Sequence, residues 1–356
     1  VAESSTKASG RAGALRQPAE WAAHRAVWVA WPSDPELWTT ALPAAQAAFT
    51  AMCRAIADVD PETGRPRGER LEVLVPDAAR ERDARAALDG LDARFHVIPF
   101  GDIWMRDIAP IFLVGEGGER VAARFAFNGW GEKYVLPGDD GVAAAVAAAS
   151  GLPERVHALV LEGGSVEVDG EGTILTTTQC LLNPNRNPGV SRERIEAFLC
   201  DALGGETVLW LGDGLLNDHT DGHVDTVARF VAPGVVVCME AREPDDPNRE
   251  VLETMARDLA AMSDARGRRL EVVRIPSPGR VLDARGEIMP ASYVNFYIGN
   301  RAVVVPIYGQ AADAAALDAI AGLFPGRRVV GVNARAVLEG GGAFHCITQQ
   351  EPEGLR

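Results

Sequence analysis

The stretch Leu161–Val168, LEGGSVEV, has a near copy late in the chain at Leu338–His345, LEGGGAFH. The two stand about three supersecondary units apart, and what surrounds them defines that unit. After the first copy, VEVDGEGTILTT reads as a hairpin turning at Asp169-Gly170. SRERIEAFLCDALG then reads as a helix with a serine N-cap and a glycine stop, and TVLWL as a strand. The pattern recurs. HVDTVARFV and VVVCME read as strands, REVLETMARDLAAMSDARG as a helix and LEVVRIP as a strand. SYVNFYIGN pairs with AVVVPIYG before the helix AAALDAIAGLF and the strand RVVGV. Earlier in the chain, residues 41–59 and DAARERDARAALDGL are helical, and LEVLVP, FHVIPF and GERVAARFAFNGW are strands. DDGVAAAVAAASGL is a further helix, stopping at Gly151.

A plain doubly wound sheet lacks so many hairpins. A repeated strand–hairpin–helix–strand unit points to an α/β toroid or propeller. No linker divides the chain, so the expectation is a flexible lead-in over 1–16 and one catalytic domain over 17–356. The glycines of LEGGGAFHCITQQEP predict a strained turn, or a close backbone approach, just ahead of Cys346.

Composition narrows the function. The 356 residues carry a formal charge of −15, which repels phosphate backbones and favours a cationic ligand. Five cysteines lie scattered without C-x-x-C spacing, excluding a disulfide scaffold and a zinc knuckle and fitting a reducing cytoplasm. No apolar run is long enough for a membrane span. Neither nucleic acid nor membrane is expected as a partner. The oligomeric state is left open, a homodimer or higher homo-oligomer included.

Four polar clusters carry candidate chemistry. In GDIWMRDIAPIF, Asp102, Arg106 and Asp107 interrupt an apolar run beside Trp104, as either a solvated loop or a carboxylate site. Glu162 stands before Gly163-Gly164, to cap a turn or to face a ligand. In NDHTDGHVDTVARF, His219 and His223 have i, i+4 spacing, but Asp221-Gly222 disfavours the helix a metal pair would need. An extended His223-Val224-Asp225 places histidine and carboxylate on one strand face, which suits a histidine base. Cys346 is either a small buried hydrophobe or a nucleophile. In extended backbone its neighbour His345 points the other way, so His223 is the better partner. One thiol, one histidine and three carboxylates, with no evident cation, suit an electrophile that is already positive. A planar guanidinium or amidinium fits.

These motifs resemble the agmatine deiminase family, which stands with bacterial peptidylarginine deiminases in the guanidino-modifying (pentein) group. The resemblance rests on QPAEWAAHRAVWVAWP, WMRDIAP, FNGWG, LEGGSVEVDGEGTILTTTQCLLNPNRNP, TDGHVD and GGGAFHCITQQEP, in order from Gln17 to Pro352. It implies a five-bladed α/β propeller of ββαβ repeats with pseudo-fivefold symmetry. It implies Cys346 as nucleophile, His223 as general acid/base, Asp107 and Asp225 gripping the guanidinium, and Glu162 pairing with the histidine or substrate. The implied reaction is hydrolytic deimination through a covalent thiouronium, with no cofactor or metal. Agmatine would give N-carbamoylputrescine and ammonia.

The chain departs from the family pattern where FNGWGEK replaces FNAWGG, GGGAFHC replaces GGGNIHC, and Asp221 replaces an asparagine before Gly222-His223. For the substrate's far end, Trp104, Trp130 and Glu132 are candidate channel residues, and Gly341 and Gly342 candidate contacts. The alternatives are a deiminase of free or peptidyl arginine, a metal-dependent hydrolase using His219, His223 and Asp225, or a binding-only relative.

Overall fold

The computed structural model describes residues 15–354. Its strands are β1 (His24–Ala30), β2 (Arg70–Val75), β3 (Ala93–Val97), β4 (Ile111–Val114), β5 (Arg120–Ala126) and β6 (Glu154–Val160). There follow β7 (Glu167–Val168), β8 (Thr173–Thr177), β9 (Thr207–Leu211), β10 (Ala228–Ala232) and β11 (Val235–Glu240). The last are β12 (Glu271–Pro276), β13 (Tyr297–Ile298), β14 (Ala302–Ile307), β15 (Arg328–Asn333) and β16 (Gln349–Pro352).

These strands form five small sheets: β4-β5-β6, β7-β8-β9, β10-β11-β12, β13-β14-β15 and β16-β1-β2-β3. Each begins with an antiparallel pair and continues with a parallel strand. A parallel neighbour needs a crossover, and one helix supplies it each time. The crossover helices are Asp139–Ser150, Arg192–Leu203, Arg249–Ala261, Asp313–Leu323 and Leu42–Ala57, with Ala78–Ala87 between β2 and β3. The last unit joins the two ends of the described chain, because β16 pairs antiparallel with β1 through Trp28↔Gln349. Several helices also pack on the preceding sheet: Arg249–Ala261 on β9, Asp313–Leu323 on β12, and Leu42–Ala57 on β14 and β15.

Local sequence explains the elements. Ser191 caps Arg192–Leu203 by accepting from the Arg194 N–H, and Gly204 ends it at φ 72°. Gly170 and Gly172 supply the positive φ of the β7–β8 turn. Trp28, Phe49, Leu71, Phe230, Tyr293 and Phe344 are fully buried in the main core, each such side chain contributing about 1.5–3 kcal/mol.

Some elements differ from the sequence expectation. HVDTVARFV is not one strand: Val224–Thr226 is a 3-10 turn, and β10 starts only at Ala228. SYVNFYIGN contributes only Tyr297–Ile298 to its hairpin. Strands β1 and β6 were not anticipated. In β6, ERVHALV, the side chains face partly or wholly into solvent without apolar alternation, which erases the period-2 signal. The expected lead-in over 1–16 falls mostly outside the described residues, but Arg16 exchanges backbone hydrogen bonds with Val114 at 2.9 and 2.8 Å and is fixed. Among the described residues no helix is long and apolar enough to cross a membrane.

Candidate active site

Each sheet delivers one residue from the segment just ahead of its first strand. Asp107 precedes β4, Glu162 with Gly163–Ser165 precedes β7, Asp225 precedes β10, Asn295 precedes β13 and Cys346 precedes β16. The repeat thereby gathers five remote stations at one place. The Cys346 thiol donates to Asn295 Oδ1 at 3.4 Å and lies 3.9 Å from Asp225 Oδ2. His223 Nδ1 is 3.8 Å from Asp107 Oδ1, and its Nε2 is 3.9 Å from Glu162 Oε2. Neither distance is a hydrogen bond. Both ring nitrogens of His223, Asp225 Oδ1 and Glu162 Oε2 are buried without a partner. Buried polar atoms seldom stay unpaired, so this set is poised for a polar ligand.

The carboxylates are held by specific donors. Asp107 accepts from Trp130 Nε1 and from the Gly164 N–H, both at 2.9 Å. Gly164 must lack a side chain, because a Cβ there would lie 2.6 Å from His223 Nδ1 and 3.1 Å from Asp225 Oδ2. Glu162 is paired with buried Arg186 at 3.0 Å, and Arg186 also binds Asp221 and the Thr220 carbonyl. Arg186, from NPNRNP, thus fastens the Glu162 loop to the His223 loop. It was not singled out in the sequence, where it reads as an ordinary loop cation.

Burial sets the titration. It raises the Asp107 carboxyl to about 8, helped by the negative charges of Asp225 and Glu162. Burial also raises Glu162, against the pull of Arg186. It lowers His223 to about 3, so that the ring is neutral. Burial pushes Asp225 upward too, but the hydrogen bond and charge of His345 outweigh it and leave the carboxyl below its ordinary value. The Cys346 thiol is driven well above its ordinary value by burial and by Asp225 and Asp107.

A cavity of about 260 Å³ opens on Cys346 and Asp107. Trp38, Trp104, Trp130 and Tyr134 line it, with Glu339 and Gly340 at the exposed end. Trp38 and Trp104 stack at 6.1 Å and donate to buried Asp102 at 3.0 and 2.6 Å. The glycine run answers to these indoles. A Cβ at Gly340 would lie 2.7 Å from Trp38, and one at Gly342 would lie 2.7 Å from Trp104 and 3.0 Å from Cys346 Sγ. Gly341 lines the cavity at φ 117°, which only glycine adopts readily.

Of the sequence candidates, Cys346, His223, Asp107, Asp225 and Glu162 come together, and Trp104, Trp130 and Gly341 line the cavity. Gly342 sits behind the thiol. Glu132 does not line the cavity: it is exposed at φ 65°, because the backbone turns left-handed through Trp130-Gly131-Glu132 and carries it away. His223 and Asp225 do not share a strand face, since the 3-10 turn intervenes. His219 stands at the rim against Tyr134, apart from both. Among the described residues, the donor cluster close enough for a metal is instead Glu162, Cys180 and His223. Burial holds the Cys180 thiol well above its ordinary value, so the cluster suits a metal ion poorly. Asn295, Trp38 and Glu20 were missed, Asp102 was named only as part of a charged triplet, and His345 was set aside. The position of Asn295 ahead of a hairpin, matching Asp225 and Cys346, was the available signal.

Known proteins share this fold. The sequence model of the Porphyromonas-type peptidyl-arginine deiminase family matches residues 16–352. An agmatine deiminase of Ectopseudomonas mendocina is 40% identical, covering 96% of each chain. The solved agmatine deiminase of Enterococcus faecalis superposes with TM-score 0.88 at 35% identity, covering 98% of this chain and 100% of that one. An agmatine deiminase of C. jejuni, solved with substrate bound, shares the fold at TM-score 0.87 and 24% identity, over 99% of this chain and 100% of that one. A match over nearly the whole described length, with the mixed α/β fold of small sheets in common, shows that this chain belongs to the Porphyromonas-type peptidyl-arginine deiminase family.

Proposed function

We propose that the protein hydrolyses the guanidinium of agmatine to N-carbamoylputrescine and ammonia, with Cys346 as nucleophile. The observation that carries this reading is the set of unpartnered buried atoms around the thiol: Asp225 Oδ1, Glu162 Oε2 and both nitrogens of His223. A planar cation with forked N–H donors satisfies carboxylates of this kind. The sequence relatives named agmatine deiminase support the substrate.

The chemistry follows from the charges. In the free site the thiol keeps its proton and His223 is neutral. A bound guanidinium between Asp107 and Asp225 offsets their charge, so the thiol proton passes to His223. The thiolate adds to the guanidinium carbon and forms a neutral tetrahedral adduct. His223 returns the proton to one amino group, the C–N bond breaks and ammonia leaves, giving a cationic S-alkylthiouronium. Water then attacks that carbon and passes a proton to His223. The C–S bond breaks to give the ureido product, the thiol regains a proton, and the one surplus proton leaves with ammonia as ammonium. The two aspartates hold the carbon at attack distance, and that orientation is their main contribution.

Aromatic walls suit the aliphatic tail and terminal ammonium of agmatine. No lysine or arginine lines the cavity among the described residues, so the α-carboxylate of free arginine has no partner there. We further propose that the five sheets close into a five-bladed propeller around this site; the shared unit and the helix-to-preceding-sheet packing support it. Five free thiols fit a cytoplasmic setting.

The test compares agmatine, free arginine and a blocked arginine peptide by ureido product and ammonia, with Cys346→Ala as control. Turnover of agmatine, lost in the control, is the expected result. Preferred turnover of the peptide overturns the substrate and keeps the chemistry.

A further inference from the structure

The thiol's immediate neighbour, His345, occupies a place the mechanism has not used. Its backbone is in a turn rather than extended, so the expectation of a ring pointing away from the site gives way to a direct link with it. His345 Nδ1 lies 2.6 Å from Asp225 Oδ2, and Nε2 lies 2.7 Å from Glu20 Oε2. All three residues are buried. A neutral ring has one proton for two carboxylates and would aim a lone pair at the other one.

Glu20 is held as a carboxylate by partners besides the ring. Glu20 accepts from Arg229 Nη2 at 2.8 Å and from the Ile298 N–H at 2.7 Å, with Arg106 Nη2 at 3.5 Å. Arg229 also binds Glu167 at 2.8 Å. Asp225, Glu20 and Glu167 stand against Arg229, Arg106 and His345 in one chain of buried contacts. The far oxygen of Asp225, Oδ1, is the one left unpartnered. The pair is rigid at its other end too, since Arg106 grips the carbonyls of His345, through Nε at 3.3 Å, and of Cys346, through its N–H at 3.0 Å.

We propose that His345 is a positioning residue: as an imidazolium clamped between Glu20 and Asp225, it fixes Asp225 Oδ2 and so aims Oδ1 at the substrate's guanidinium. This rests on the reading of the site as a guanidine-deiminating centre. Asp225 is faced by Cys346, His345 and His223, by the carboxylates of Asp107 and Asp218, and by Arg229. His345 is faced by Asp225, Glu20 and Glu167, with the guanidinium groups of Arg229 and Arg106 on the same Glu20 oxygen. Of the cations around Asp225 among the described residues, His345 alone hydrogen-bonds to it. Its loss lets Asp225 take up a proton at higher pH.

The test is agmatine kinetics of wild type and His345→Gln across pH 5.5 to 9.5. For the variant, kcat/KM falls about 10²-fold with KM raised, as a misaimed group predicts. A lower kcat with unchanged KM would mean a merely structural role and overturns the proposal. The second measurement does not depend on turnover or on the variant's folding. Nitrogen-15 histidine spectra of the wild-type protein at pH 7.5 are expected to show one buried ring with both nitrogens protonated. If every ring is a neutral tautomer, the proposal fails, whatever the substrate proves to be. Failure of wild type to process any guanidine, with that doubly protonated ring present, counts against the function and not against the clamp.

Discussion

A Cβ on Gly164 would stand 2.6 Å from His223 Nδ1, closer than real Cβ contacts come. The same atom would lie 3.0 Å from Asp107 Oδ1, and the Gly164 N–H donates to that oxygen at 2.9 Å. Gly164 is therefore the spacer that lets a base and two carboxylates converge. Gly164→Ala should lower kcat/KM on agmatine by about 10²-fold or more while the protein still folds. Circular dichroism with steady-state kinetics checks this, and a fully active folded variant would sink it.

Asp107 links the site to stability. Its carboxyl is raised to about 8. An unfolded aspartate titrates near about 3.9, so the folded state binds the extra proton between these values. That stabilisation is complete below the unfolded value and is lost as pH rises through about 8. Asp107→Asn should melt like wild type at pH 5 and about 2–4 °C higher at pH 9, with deimination abolished. A lower melting temperature at pH 9 would contradict this.

The same carboxyl governs the free enzyme's pH profile. Asp107 must ionise to grip a cation, so kcat/KM should climb as pH rises toward about 8. Trp130→Phe removes the indole N–H that favours the ionised form. Its acid limb should move upward by roughly one unit. An unmoved limb would show that another group controls it.

The shape of the repeat was legible in the sequence, and so were the five catalytic candidates. Hairpins and helices announce themselves through turn residues, caps and periodicity, as around Asp169-Gly170 and Ser191. What stayed hidden depends on contacts distant in sequence. Nothing local marks Arg186 as the partner of Glu162, or Asp102 as the acceptor of two indoles. His345 was misjudged because strand alternation was assumed where the backbone turns. Glu132 was misjudged because its left-handed backbone is not visible in FNGWGEK.

Cys346 offers a chemical test of the charge logic. Two nearby aspartates and burial hold the thiol protonated in the free site. A chloroacetamidinium, cationic like the substrate, should alkylate it at least about tenfold faster than neutral chloroacetamide. Mass spectrometry locates the adduct. Equal rates would mean that the bound cation does not promote ionisation.

The pairing of β16 with β1 has a consequence for how activity arises during folding. Trp28 Nε1 donates to Glu351 Oε2 at 2.9 Å across 323 positions of sequence, among the least local contacts in the protein. Contacts of such separation carry the largest loop-closure cost and tend to form late. The nucleophile lies just ahead of that strand, while its partners ride on sheets that are complete without it. A partly folded chain can thus hold four finished sheets and every carboxylate of the site and still be chemically silent. Turnover then reports the pairing of β16 with β1, and recovery of activity after denaturation should trail recovery of secondary structure.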